Sequence, residues 1–246
     1  MTWSICAHEP ESGAFAVAVA TCNFAVGASC PHTRAGVGAV STQSITNRYL
    51  GPAVLDAMER GLPAEAALRS ALAGDEGRSL RQLHAIDAEG RSAAWTGAHC
   101  VEWCGDTGRP GASFAGNMLA GPEVLAATAA AFEAAHGLPL AERMMRAMEA
   151  GDAAGGDRRG RQSAALILTT TEDFPDINLR VDDHKDPIAE LRRLFTLWEE
   201  MGAARITNAP RKANPAGLID IDLIEAGWRA KGLDLQFRRP DHPPAR

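Results

Sequence analysis

Thr2-Trp3-Ser4-Ile5-Cys6-Ala7 opens the chain with an alternation in which Thr2, Ser4 and Cys6 share one side and Trp3, Ile5 and Ala7 the other. After the turn residues His8-Glu9-Pro10-Glu11-Ser12-Gly13, the alternation resumes through Ala14-Phe15-Ala16-Val17-Ala18-Val19-Ala20. A period of two on both sides of a Pro/Gly-bearing turn predicts a β-hairpin. The small residues of its second strand suit a sheet packed closely on both faces.

Working outward, residues 37–43 read as a third strand, after which the period changes. Leu50, Val54, Leu55 and Met58 fall on one helical face, and Gly61-Leu62-Pro63 ends that helix and starts another reaching about residue 73. Residues 83–87 and 92–96 flank Ala88-Glu89-Gly90-Arg91 as a second hairpin. Val124, Thr128 and Phe132, then Leu140, Met144, Met145 and Met148, mark two further helices, and the apolar run 164–168 with alternating Ile177, Leu179 and Val181 gives two more strands. Ile188, Leu191, Phe195 and Trp198 lie on one face of a closing helix. Strands and helix pairs are segregated, unlike the alternation of a βαβ fold, so the expected class is α/β of the α+β type: two stacked sheets between two helical layers. The main domain is expected over 1–203. Residues 204–246 form a linker (209–215), a short helix within 218–229 and a frayed Pro-rich end (241–246).

The 246 residues carry 25 Lys+Arg against 31 Asp+Glu, a net charge of 25 − 31 = −6. Scattered, mildly acidic charge argues against a nucleic-acid or anionic-membrane partner. The uncharged stretch 12–33 is long enough to raise the question of a membrane span, but Gly13, Asn23, Gly27 and Pro31 interrupt it and it alternates like a strand. Without a basic leader before it, the expected location is cytoplasmic. Five cysteines, an odd count, speak against a disulfide framework. His99-Cys100-x3-Cys104 is half of a metal site with no second half in the sequence, so no metal or cofactor is expected.

Several residues have the chemistry for a site. Thr2, once Met1 is removed, would carry a hydroxyl nucleophile and an α-amine base on one residue, the amine titrating at roughly 7.7–8.0. Asn117, in Gly116-Asn117-Met118, offers an amide to a developing oxyanion, with a turn or capping duty as the rival reading. Arg34 and Gln43 sit at either end of the third strand, as an anion clamp and a substrate hydrogen-bonder, or as an ion pair and a backbone partner. Asp157 and Arg161, four apart in Gly155-Gly156-Asp157-Arg158-Arg159-Gly160-Arg161-Gln162-Ser163, could orient each other or bind a carboxylate; a solvated loop is the plain alternative. No Walker loop and no Gly-x-Ser-x-Gly elbow is present.

Taken together, Thr2-Trp3-Ser4-Ile5, His8-Glu9-Pro10, Arg34 through Gln43, Gly116-Asn117, Gly155 through Ala165 and Leu179-Arg180-Val181-Asp182-Asp183-His184 resemble the DUF1028 family over roughly residues 2–200. The resemblance implies a fold like that of the N-terminal-nucleophile (Ntn) hydrolases, a four-layer αββα sandwich with the nucleophile, here Thr2, on the first strand. It implies no particular reaction. The chain departs from the proteasome-type pattern in having no lysine before Lys185, so Arg34 or Arg161 would have to supply the positive charge. The functional expectation is an amidohydrolase acting on a small amide or peptide-like bond. The alternative is a non-catalytic ligand-binding or assembly protein on the same fold, with a homodimer as an open assembly.

Overall fold

A computed structural model describes residues 2–202 and 208–232, which fall into two compact units divided between residues 192 and 193. The expected boundary at 203/204, Met1 and the segment 241–246 lie at or beyond the edge of the described residues.

The first unit begins with β1 (Thr2–Glu9) and β2 (Ala14–Thr21), paired antiparallel with Trp3 opposite Ala20 and His8 opposite Phe15. Every residue of β2 is buried, because its Phe and Val side chains face one packed layer while its alanines face another. Burying each of the larger side chains contributes about 1.5–3 kcal/mol. The uncharged stretch 12–33 is therefore a sheet strand with its connections. Among the described residues, no helix is long and apolar enough to cross a membrane.

β3 (Pro31–Arg34), β4 (Gly38–Ser44), β5 (Arg81–Asp87) and β6 (Ser92–Thr96) form a four-stranded antiparallel sheet in that order. β7 (Gly105–Arg109), β8 (Ala112–Asn117), β9 (Ser163–Thr169) and β10 (Ile177–Val181) complete a six-stranded sheet in the order β10-β9-β2-β1-β8-β7. β1 and β2 are thus its centre. The β7–β8 hairpin and β3 go beyond the strands expected from the sequence: β7 and β8 carry glycines and short side chains that mute the alternation on which a strand reading depends.

Helices α1 (Leu50–Glu59) and α2 (Ala64–Ala73) cover the smaller sheet through a cluster of Val40, Leu50, Val54, Leu55, Leu68 and Leu83. Helices α3 (Glu123–Ala134) and α4 (Leu140–Ala153) cover the larger one, against β8 and β2. Trp3 marks that side: a side-chain carbon at Gly151 of α4 would come within 2.9 Å of its indole Nε1. The two sheets face each other through β1 and β4 and through β5 and β8. The result is the expected αββα stack, with one face of β1 (Thr2, Ser4, Cys6) turned toward the second sheet.

Helix α5 (Pro187–Leu197) follows β10 and ends in a π turn at Trp198–Gly202. In the second unit, helix α6 (Ile221–Arg229) is capped by the Asp220 carboxylate, which accepts from the backbone N–H groups of Asp222 and Leu223 at 3.0 and 3.2 Å.

Candidate functional site

The inter-sheet face of β1 is lined with polar side chains. Thr2 is 5% exposed, lies opposite Asn117 of β8 and donates its hydroxyl to Thr21 Oγ1 at 3.3 Å. Two residues on, Ser4 donates to Gln43 Oε1 at 2.7 Å and meets His84 Nε2 at 2.6 Å. Since the single Ser4 proton goes to Gln43, Nε2 of His84 must donate to Ser4, and Nδ1 then accepts from Ser113 at 3.1 Å. Burial drives the His84 pKa down to about 3, so the ring is neutral. Ser4 and His84 are both wholly buried, so this pair tethers the two sheets and cannot reach a substrate.

Gln82, which no sequence motif marks, is the centre of the arrangement. Its Oε1 accepts from Gln43 Nε2 at 2.8 Å and from Asn117 Nδ2 at 2.9 Å. Its Nε2 donates to Gly116 O at 2.8 Å, Thr96 Oγ1 at 3.0 Å and Gly105 O at 3.2 Å. One fully buried amide thus ties β5 to β4, β6, β7 and β8. Asn117 is not a turn or cap; it is the last residue of β8, 2% exposed. One of its two amide protons is committed to Gln82, leaving the other for whatever lies beside Thr2.

Two backbone outliers adjoin these residues. Met118, directly after Asn117, has φ of 55°, and Ser44, directly after Gln43, has φ of 72°. Left-handed conformations in residues other than glycine cost of the order of 1–3 kcal/mol and gather where a geometry is imposed for a purpose. The segment holding Met118 is pinned on its other side, with Met118 N donating to Val101 O and Leu119 N to Trp103 O.

The glycine-rich loop reaches the same end of the sandwich by an unexpected route. Asp157 does not pair with Arg161. Its carboxylate, wholly buried, accepts from Cys22 N at 2.7 Å and Arg159 N at 2.8 Å, with the Arg159 guanidinium at 3.3 Å. Asp157 therefore ties its loop to the residue after Thr21, behind Thr2. Arg161 instead holds Asp152 at 2.6 Å, which raises its pKa. Arg34 is not brought to Thr2 at all. It opposes Gly38 at the far end of β4 from Gln43, roughly 17 Å along the strand, and binds Asp56 at 2.8 Å and Glu59 at 2.7 Å. Neither arginine presents an uncommitted positive charge to Thr2.

Burial pushes Cys6 up and Cys30 to about 11, while Cys100 and Cys104 donate to the carbonyls of Arg81 and Cys100. Among the described residues, no group of three or more His, Cys, Asp or Glu side chains is placed to hold a metal ion.

Two antiparallel sheets stacked face to face between two helical layers, with β1 at the centre of the larger sheet, make this a four-layer αββα protein. Over residues 2–191 the chain matches the model of the family of unknown function DUF1028, and it belongs to that family. It is similar to protein SPO2555 from Silicibacter pomeroyi, a DUF1028 crystal structure, with 30% identity, coverage of 89% of this chain and 96% of that one, and a TM-score of 0.82. Anbu, an ancestral β-subunit, from Yersinia bercovieri matches at 11% identity and a TM-score of 0.37, covering 85% of this chain and 98% of that one. Anbu from Hyphomicrobium matches at 11% and 0.38, covering 85% and 99%. No curated protein matches the chain.

Proposed function

We propose that the chain is an amidohydrolase whose nucleophile is Thr2, freed as the first residue by removal of Met1. The observation that carries this reading is the placement of Thr2 at the head of β1, directly opposite an Asn117 amide that Gln82 holds in one orientation. In the proposed reaction, the Thr2 hydroxyl oxygen attacks the carbonyl carbon of a small amide while its proton passes to the Thr2 α-amine. The resulting oxyanion takes the second Asn117 N–H and backbone N–H groups. The amine returns the proton to the leaving nitrogen as the C–N bond breaks, leaving an ester on Thr2. Water then cleaves that ester, its proton following the same route.

A second reading, a ligand-binding or assembly protein without chemistry, is favoured by the low exposure of Thr2 and by the pairing of Arg34 and Arg161 with carboxylates. Intact mass and covalent labelling separate the two. A hydrolase requires loss of one methionine, and an electrophilic lactone or amide probe should label the wild type but not Thr2→Ala. Quantitative retention of Met1, or equal labelling of both proteins, would overturn the hydrolase.

A further inference from the structure

At the opposite end of β1, about 23 Å along the strand from Thr2, lies a cleft of about 600 Å³ that the proposed reaction does not use. Its walls are the β1–β2 turn, the β7–β8 turn and the α3–α4 connection, and His8, Glu9, Glu11, Gly111, His136 and Arg143 line it. The volume is that of a small-molecule site.

Arg143 sets the cleft apart. Four other half-buried arginines, Arg34, Arg81, Arg109 and Arg192, each hold a carboxylate. The Arg143 guanidinium holds none. It lies 4.0 Å over the Phe132 ring, with its Nε shut off from solvent and unpartnered. Partial burial pulls its pKa down, opposed by the charge of Glu9. Glu9 is thus near enough to be felt but makes no ion pair with it; its carboxylate accepts instead from the Ser12 hydroxyl at 2.6 Å. A cation and an anion are held in one cleft without neutralising each other. Desolvating a charge is costly unless a partner arrives, and a guanidinium fork fits a carboxylate edge-on.

We propose that this cleft binds a small zwitterion of the α-amino-acid class, its carboxylate on Arg143 and its ammonium toward Glu9. A plain anion would meet the repulsion of Glu9 and Glu11, and a plain cation that of Arg143. A ligand with both charges satisfies the two sides together. The site is independent of the Thr2 reading, since it shares no residue with it.

The test is titration calorimetry of the full chain with glycine and glutamine, and with acetate, methylammonium and inorganic phosphate as single-charge probes. The amino acids should bind at least about tenfold more tightly than any of the single-charge probes, and Arg143→Met, which keeps an apolar stack on Phe132, should lose at least about tenfold. Glu9→Gln should bring the amino acids down to the affinity of acetate, which keeps the proposal testable if Arg143→Met fails to fold. Thr2→Ala should bind as the wild type does. Wild-type affinity for amino acids no better than for acetate or phosphate would overturn the proposal. So would unchanged binding in folded Arg143→Met or Glu9→Gln, or loss of binding in Thr2→Ala alone.

Discussion

The space between the two sheets has two halves of opposite character. Toward the end of β1, Cys6 packs with Phe15, Val17, Ala39 and Ile86 in an ordinary apolar core. Toward the start of β1, the same layer holds Ser4, Gln43, Gln82, His84 and Asn117, all buried and all hydrogen-bonded to one another or to Ser113 and Thr96. Both halves are buried, so they differ in what fixes them. The apolar half is held by shape and tolerates rearrangement, whereas the polar half is held by direction, because each amide left unpaired there costs about 1–3 kcal/mol. Side chains beside Thr2 are consequently oriented as well as packed.

Breaking the apolar half should have the largest effect on stability and little on reactivity. Phe15→Ala is expected to cost about 3–5 kcal/mol in urea unfolding, while the folded fraction still labels at Thr2 at the wild-type rate. Breaking the polar half should do both. Gln82→Leu strands the Gln43 and Asn117 amides and the Gly116 carbonyl, a loss partly offset by burial of the leucine side chain, for a net cost of about 2–4 kcal/mol. Labelling of its folded fraction should fall by about tenfold or more, and an unchanged rate would remove Gln82 from any role in orienting Asn117.

Acid should sharpen the contrast. The His84 pKa of about 3 lies below that of an unfolded histidine, about 6.5. Between those values the unfolded chain binds a proton that the folded one refuses. The contribution of this group is therefore intact above about pH 6.5 and shrinks as pH falls, by about 2 kcal/mol at pH 5. Urea melts at pH 7 and pH 5 should show a smaller loss in His84→Gln than in the wild type, the remainder coming from His8 and His32, whose pKa values burial also lowers. The smallest effect is expected from Arg34→Ala. Its partners Asp56 and Glu59 are both exposed, so stability should change by less than about 1 kcal/mol, with labelling at Thr2 unaltered.

Much of this layering can be read in the chain. The alternation of Thr2, Ser4 and Cys6 against Trp3, Ile5 and Ala7 already separates the face of β1 toward the second sheet from the face toward the helices. Gln82 lies outside a strand read as starting at Leu83, but β5 starts at Arg81. The period of two, extended back from His84, places Gln82 on the same face. Proximity in sequence does not predict the partner of Asp157: Arg161 pairs with Asp152 instead, and Asp157 binds Cys22 N, 135 residues away. The partners of Arg34 are hidden for another reason: Asp56 and Glu59 come from a helix whose docking on the smaller sheet no local pattern discloses.

Gln82 also acts as a checkpoint on assembly. A slip of β5 by a single residue would turn its amide from the partner sheet toward α2 and leave four strands, β4, β6, β7 and β8, without their common partner. The larger sheet could still pair with itself and the helices could still cover it, but Asn117 would lose its orientation. The arrangement beside Thr2 therefore comes into being only when both sheets are in register and docked. Premature or misfolded chains would carry the Thr2 hydroxyl without these ordered neighbours.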